Sequence, residues 1–259
     1  MRQCYSIEFE NENFLSYKVD SLIVLEVKRD SFHSIVDIEE SFETLEWFEL
    51  VTVDKNIKGM LIIGNKDVFG EEAYTKLMSE ITGEEILPYK QHSVRKFKEE
   101  NKRYILINMI NNFARMMIEY PKIIITAVDG SIASPFWGLS LASDLRIATE
   151  NTEFHVSDKR FNLHPGGALP FFLVRHIGLS RTQEIIYTRD KIDPNEALSL
   201  GLVNCIINKN HYKSDAINYA NNVLEYEREY YKNAKKLIHN FTIKEFEDYL
   251  ESEQKMGHV

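Results

Sequence analysis

The chain has 259 residues, enough for one large domain or two small ones. Its hydrophobic content of 44% and charged content of 27% are ordinary for a soluble globular protein. The formal net charge of −9 argues against nucleic acid or an anionic membrane as the main partner. Two distant cysteines, Cys4 and Cys205, indicate reduced structural thiols rather than a disulfide framework or a metal site. The polar N-terminus lacks a signal-peptide core and no apolar window could span a membrane, so we expect a cytoplasmic protein.

The first half of the chain predicts strands followed by helices. YSIEF and SLIVLEV mix alternating and continuous apolar residues, which is typical of β-strands. From Ile35 to Val51, apolar residues recur at spacings of three and four and predict an amphipathic helix. GMLIIG, residues 59–64, predicts a short buried strand. The charged region from about 71 to 120 is expected to be mostly helical, with the basic run YKQHSVRKFKEENKR on a solvated face.

The second half resumes with a β-branched strand, KIIITAV, which starts after Pro121. The stretch SIASPFWGLSLASDLRIA, residues 131–148, predicts a loop, a helix and a strand, and TEFHVS predicts another short strand. From about Leu169 the pattern is helical, interrupted by one short strand, LVNCII.

This β/α alternation predicts one α/β core over residues 1–207 and a helical C-terminal extension over 208–259. Such an extension either folds back on its own chain or packs on a neighbour. We therefore expect oligomerisation through this segment.

The helix predicted within 131–148 begins with a proline, Pro135. The first N–H groups of a helix lack internal partners and are natural anion sites, but proline has no N–H to offer. Two readings stay open: Pro135 simply starts the helix, where proline fits best, or a catalytic turn has lost one donor.

From Pro121 to Ile207 the order of motifs resembles the crotonase (enoyl-CoA hydratase/isomerase) superfamily. The matching stretches are PKIIITAVDG, the 131–148 segment, TEFHVSDKRFNLHPGGALP and IGLSRTQEIIYTRDKIDPNEALSLGLVNCII. The resemblance implies repeated β-β-α units with C-terminal helices, assembled as a homotrimer or hexamer. It also implies an acyl thioester of coenzyme A or of acyl carrier protein, whose oxygen is held by two backbone N–H groups, with no tightly bound cofactor and no metal.

Several positions depart from the family pattern. Pro135 stands where the resemblance places the second oxyanion donor, so the amide of Phe136 or Trp137 would have to replace it. The first donor position matches Ala73, although its turn, GMLIIGNKDVFGEEAYTK, is degraded and Gly70 offers another register.

The catalytic positions depart as well. The first glutamate of hydratases matches Gly138, which has no side chain, and this argues against hydration by two carboxylates. The second glutamate matches Asp158, the best candidate for a general acid/base. His155 and His164 flank it, and either could place an imidazole beside Asp158; the alternative for all three is a structural role.

A shorter resemblance, over SDKRFNLHPGGALPFFLVRHIGLSR, is to the dehydratases of polyketide β-branching, which act on carrier-protein thioesters. In the helical extension, Lys235 and Lys236 could meet a CoA phosphate, or they are exposed helix lysines.

Three hypotheses follow. The first is an enzyme acting on acyl thioesters by enoyl hydratase/dehydratase- or isomerase-type chemistry, with a divergent active site and a place in secondary metabolism. The second is a crotonase-fold hydrolase that uses water activated by aspartate and histidine. The third is a non-catalytic homologue that serves as a partner subunit.

Overall fold

The computed structural model describes residues 6–29 and 31–256 of the chain, which form two sheets surrounded by helices. The strands are β1 (Phe9–Glu10), β2 (Phe14–Val19), β3 (Leu22–Val27), β4 (Gly59–Gly64), β5 (Ile123–Val128), β6 (Ser131–Ile132), β7 (Leu145–Thr149), β8 (Glu153–His155), β9 (Lys191–Ile192) and β10 (Cys205–Ile207). The helices are α1 (Ser31–Val36), α2 (Ile38–Val53), α3 (Glu71–Thr82), α4 (Glu100–Glu119), α5 (Ser134–Leu141), α6 (Ser157–Arg160), α7 (Leu169–Thr188), α8 (Pro194–Ser199), α9 (Tyr212–Val223), α10 (Arg228–Ile238) and α11 (Thr242–Met256). A 3₁₀ turn, Lys209–His211, precedes α9.

The larger sheet has the strand order β1-β2-β3-β4-β5-β7-β10. Its first three strands are antiparallel, and every later pairing is parallel. The smaller sheet, β6-β8-β9, lies beyond the carboxyl end of β5, because only two residues separate β5 from β6. Parallel strands end at one edge, so this topology gathers the turns after β4 and β5 where ligands bind in α/β folds.

The central strands are buried on both faces, as expected for parallel strands covered by helices. In β3, Ile23 belongs to the large core that also contains residues of α1–α5, whereas Leu22 belongs to a second core with α9. The near-continuous apolar runs of β3, β4 and β5 follow from this double coverage.

The strand predicted over 59–64 is confirmed as β4, and the helix and strand predicted within 131–148 are confirmed as α5 and β7. The segment predicted as a loop before that helix begins with the two-residue strand β6. The mostly helical region predicted from 71 to 120 is confirmed as α3 and α4, which are separated by a non-helical segment, residues 83–99. Gly83 ends α3 in the left-handed conformation (φ 72°). The charge-rich run that begins at Tyr89 starts within this extended segment, which we call the strap (residues 83–99). There the amide of His92 donates to the Arg160 carbonyl at 2.8 Å.

The C-terminal helices pack on the same chain. Helix α9 contacts β4 and β10, α10 contacts β5, and α11 contacts α4. The Asn111 amide of α4 donates to Glu253 of α11 at 2.6 Å. A boundary between residues 207 and 208 remains a prediction.

Candidate active site

The N-terminal turns of α3 and α5 lie side by side at the carboxyl edge of the sheet. The amide of Ala133 donates to the Phe69 carbonyl at 2.8 Å, and the amide of Glu71 donates to the Ser131 hydroxyl at 3.2 Å. Gly70 allows this approach, because a Cβ there would lie 2.9 Å from the Ser131 carbonyl oxygen. The two turns in which the oxyanion donors were predicted are therefore held together by backbone contacts.

Pro135 occupies the first turn of α5, the position at which a helix tolerates proline best. The Trp137 amide already donates to the Ala133 carbonyl at 2.9 Å, so Trp137 is not a free oxyanion donor, contrary to one of the two alternatives. Among the described residues, the amides of Phe136 and Ala73 have no hydrogen-bond partner. These two first-turn amides are therefore available as donors.

Gly138 is fixed by packing rather than by chemistry. A Cβ at this position would lie 2.1 Å from the Gly167 carbonyl oxygen and 2.9 Å from the Leu169 amide nitrogen. Gly167 is packed equally closely, since its own Cβ would lie 2.0 Å from the Pro135 carbonyl oxygen. Helix α5 and the turn before α7 thus fill the space that a glutamate side chain at position 138 would need.

Asp158, on the short helix α6, is 2% exposed and is held by three donors. Its Oδ1 accepts the Tyr74 hydroxyl at 2.5 Å. Its Oδ2 accepts the Ser134 hydroxyl and, at 2.8 Å, the Gly166 amide. Burial, together with the Asp158 charge, raises the pKa of Tyr74 well above its usual value, so the phenol stays protonated and donates.

Neither predicted histidine bonds to Asp158. The His155 Nε2 lies 3.4 Å from Glu153 Oε2, and its ring stacks obliquely against Tyr89 at 5.7 Å. Burial lowers the pKa of His155, which keeps its imidazole neutral near pH 7. The His164 Nε2 is buried without a hydrogen-bond partner among the described residues. The expected aspartate–histidine pair is therefore absent from this part of the chain.

The sequence analysis did not identify the buried ion pair between Glu71 and Arg160. The Glu71 carboxylate accepts from Arg160 Nε at 2.8 Å and from the Ser157 hydroxyl, and the Arg160 Nη2 donates to Thr75 at 2.5 Å. The Ser157 hydroxyl in turn accepts from the Ser134 amide at 3.1 Å. This network joins α3, α5 and α6, and it fixes the backbone that carries Asp158.

A family model described as enoyl-CoA hydratase/isomerase matches residues 20–258 of the chain. The chain belongs to the enoyl-CoA hydratase/isomerase family. This family is a group of lyases and isomerases, and the expected crotonase-type α/β fold is confirmed by solved structures. The enoyl-CoA hydratase from Bacillus halodurans superimposes with a TM-score of 0.75 at 18% identity, covering 95% of this chain and 93% of that one.

Two curated relatives carry more specific names. The trans-2-decenoyl-[acyl-carrier-protein] isomerase of Streptococcus mutans is 22% identical over 72% of this chain and 66% of its own. The crotonyl-CoA hydratase of Syntrophomonas wolfei is 24% identical over 76% of this chain and 69% of its own. Matches to other curated enoyl-CoA hydratases span only 37 to 44% of those relatives' length.

For this family member, the two lysines proposed to meet a CoA phosphate differ in environment. Lys235 is buried, and its Nζ lies 2.7 Å from Asp144 Oδ2 and 2.9 Å from the Met117 carbonyl. Its ammonium is committed to internal acceptors, which corrects the expectation that Lys235 faces a phosphate. Lys236 is exposed and keeps the proposed role.

An apolar cavity of about 100 Å³ borders the two turns at which α3 and α5 begin. Phe69 and Phe136, one from each turn, form part of its wall, and Ser34 of α1 contributes a hydroxyl. This hydroxyl is buried and has no hydrogen-bond partner among the described residues.

Metal and membrane features are absent from the described ranges, 6–29 and 31–256. No three histidine, cysteine or acidic side chains cluster there as metal ligands would, and no helix is long and apolar enough to cross a bilayer. Cys205 is a free, half-buried thiol, whereas Cys4 lies outside the described residues.

Proposed function

We propose that the protein moves a proton within an enoyl thioester, as isomerases of this family do, with Asp158 as the only carboxylate acid/base. The amides of Ala73 and Phe136 hold the thioester oxygen while it carries negative charge. No tightly bound cofactor takes part. The thioester is carried on CoA or on the phosphopantetheine arm of an acyl carrier protein.

The observation that carries this proposal is the packing at Gly138. Addition of water by the two-carboxylate scheme needs a second acid, and the Gly167 carbonyl occupies the space for it. One carboxylate is sufficient for a proton shift, because the same group removes and returns the proton. The similarity to a relative named as an acyl-carrier-protein isomerase supports this choice.

The proposed steps balance without water. The Asp158 carboxylate removes a proton from the α-carbon of a 3-enoyl thioester, and the electron pair moves onto the thioester oxygen as a dienolate. The two amides stabilise that oxygen. Asp158 then returns its proton to the γ-carbon, which gives the 2-enoyl thioester. Dehydration of a 3-hydroxyacyl thioester, as in polyketide β-branching and secondary metabolism, also needs only one acid/base and is the related alternative within this proposal.

The test is product identity in D₂O. The purified protein is incubated with 3-hexenoyl-CoA and with the same acyl group on a carrier protein, and products are analysed by mass spectrometry and NMR. We expect the 2-enoyl isomer without gain of water and with little deuterium at the γ-carbon, because the buried Asp158 carboxylate returns the proton that it removed. Asp158→Asn should slow turnover at least about a hundredfold, whereas Asp190→Asn, an exposed control, should not.

Other products would contradict the proposal. A hydrated product without isomer would contradict the proton shift and favour the reverse of the dehydration alternative. Free carboxylic acid would indicate the hydrolase, although no histidine contacts Asp158 to activate water in the described structure.

A second candidate, a non-catalytic partner subunit, is favoured by the burial of Asp158, since a 2% exposed carboxylate with three donors also suits a structural role. No turnover with either carrier, and none with the matching 3-hydroxyacyl thioesters, would favour this candidate instead. For either function we propose a homotrimer or hexamer in the cytoplasm. The exposed apolar residues Leu237, Ile238 and Phe241, at 79, 72 and 75% exposure, support association through the C-terminal helices.

A further inference from the structure

We propose that Tyr74 is a positioning residue that fixes the Asp158 carboxylate so that Oδ1 is the oxygen that exchanges the proton. This inference rests on the proposed function.

The distribution of donors over the two oxygens of Asp158 is unequal. Oδ2 accepts two hydrogen bonds, from the Ser134 hydroxyl and the Gly166 amide, and Oδ1 accepts only the bond from Tyr74. An ionised carboxylate offers about four acceptor positions, two on each oxygen. Oδ2 is therefore saturated, and the one remaining lone pair lies on Oδ1.

The phenol that sets this arrangement cannot swing away. The Tyr74 ring is stacked on Phe32 with centroids 5.0 Å apart, and it meets the edge of Phe161 at 5.6 Å. Tyr74 is 2% exposed, so its hydroxyl has no water to replace the carboxylate as partner. Rotation of the carboxylate would break all three hydrogen bonds at once, since the donors come from different elements.

Tyr74 also couples the acid/base to the oxyanion donors. It follows Ala73 directly, so the first turn of α3 carries both the amide proposed to hold the thioester oxygen and the phenol that orients Asp158. The third donor to Asp158, the Ser134 hydroxyl, comes from the turn of α5 that carries Phe136. The same two turns therefore carry both the amides proposed to hold the thioester oxygen and the hydroxyls that orient the Asp158 carboxylate.

The experiment compares Tyr74→Phe with wild type in the isomerase assay. The substitution removes one hydroxyl and keeps the ring. We expect kcat to fall roughly 10- to 100-fold, the worth of a charge-assisted hydrogen bond, with KM within about twofold. Tyr120→Phe is the matched control, because its buried hydroxyl donates at 3.0 Å to the Phe48 carbonyl away from Asp158 and should leave kcat unchanged.

A double-mutant cycle separates positioning from general structural damage. In an Asp158→Asn background, Tyr74→Phe should cause no further loss of kcat, because the group it positions is gone. If Tyr74→Phe does not fold, 3-fluorotyrosine at position 74 keeps ring and hydroxyl and should still change kcat with KM constant.

The outcomes are distinguishable from those of the proposed function. An active wild type with an unimpaired Tyr74→Phe, or an equal loss in the Asp158→Asn background, overturns this inference alone. A wild type that turns over neither thioester overturns the proposed function and this inference together.

Discussion

Replacing Gly138 by alanine should destabilise the protein, although alanine is the better helix former. Inside a helix, Gly→Ala normally adds about 1 kcal/mol of stability. Here the new Cβ would lie 2.1 Å from the Gly167 carbonyl oxygen, and such contacts are essentially never shorter than 3.0 Å. Helix α5 and the turn before α7 must therefore separate by about 0.9 Å, the difference between these two distances.

The size of the effect follows from overpacking against backbone, which cannot rotate out of the way. Overpacking costs about 1–3 kcal/mol, and a contact with a carbonyl on a fixed turn belongs at the upper end. Subtracting the helix preference leaves a net loss of about 2 kcal/mol. For a chain of this size that corresponds to a decrease of roughly 4–8 °C in Tm.

Thermal unfolding followed by circular dichroism measures this change. Gly166→Ala is the matched control, because its Cβ would meet Pro135 Cγ at 3.4 Å and Asp158 Oδ2 at 3.7 Å, which are ordinary contacts. Its Tm should stay within about 2 °C of wild type. A Gly138→Ala variant as stable as wild type, or more stable, would show that the backbone of the turn before α7 does not fill the space beside position 138.

Three further predictions concern buried polar groups. Ser34→Ala should leave the free energy of unfolding unchanged or raise it by up to about 1 kcal/mol in urea titrations, because its buried hydroxyl lacks a partner among the described residues. A decrease in the free energy of unfolding of more than about 1 kcal/mol would contradict this prediction. Lys235→Met should cost about 3–5 kcal/mol by leaving Asp144 without its ion pair, whereas Lys236→Met should cost less than about 0.5 kcal/mol and only weaken CoA binding; equal losses would disprove the assignment. Burial lowers the pKa of Lys122 to about 8, below its value in the unfolded chain. Above about pH 8 the unfolded state therefore binds more protons than the folded state, and the free energy of unfolding should rise with pH. Lys122→Met should flatten that rise, and an unchanged slope in the variant would refute this prediction.

The strands and the order of motifs were predictable from the sequence because they depend on local patterns. Continuous apolar runs mark strands that helices cover on both faces, and the strand over 59–64 has the predicted bounds. The strap formed by residues 83–99 was not predictable in the same way. Its conformation depends on backbone hydrogen bonds to Arg160 and Phe161, more than sixty residues away.

The same distinction between local patterns and long-range contacts applies to the candidate site. The resemblance pointed to Asp158 and Gly138, since a motif fixes positions along the chain. It could not show that Tyr74 donates to Asp158 across 84 residues, or that Lys235 turns inward to Asp144. Both depend on how helices pack, and a helical lysine or tyrosine has the same local pattern whether it is buried or exposed.

We propose that this protein keeps an oxyanion site although Pro135 has no N–H to donate. Calorimetric titration with acetoacetyl-CoA, and with the same acyl group on a carrier protein, tests it most directly, because the enolate of this ligand places negative charge on the oxygen that the amides of Ala73 and Phe136 would hold. We expect saturable binding of at least one of the two ligands. Absence of binding to both would show that the turn no longer stabilises an enolate, and the non-catalytic subunit would then be the function to pursue.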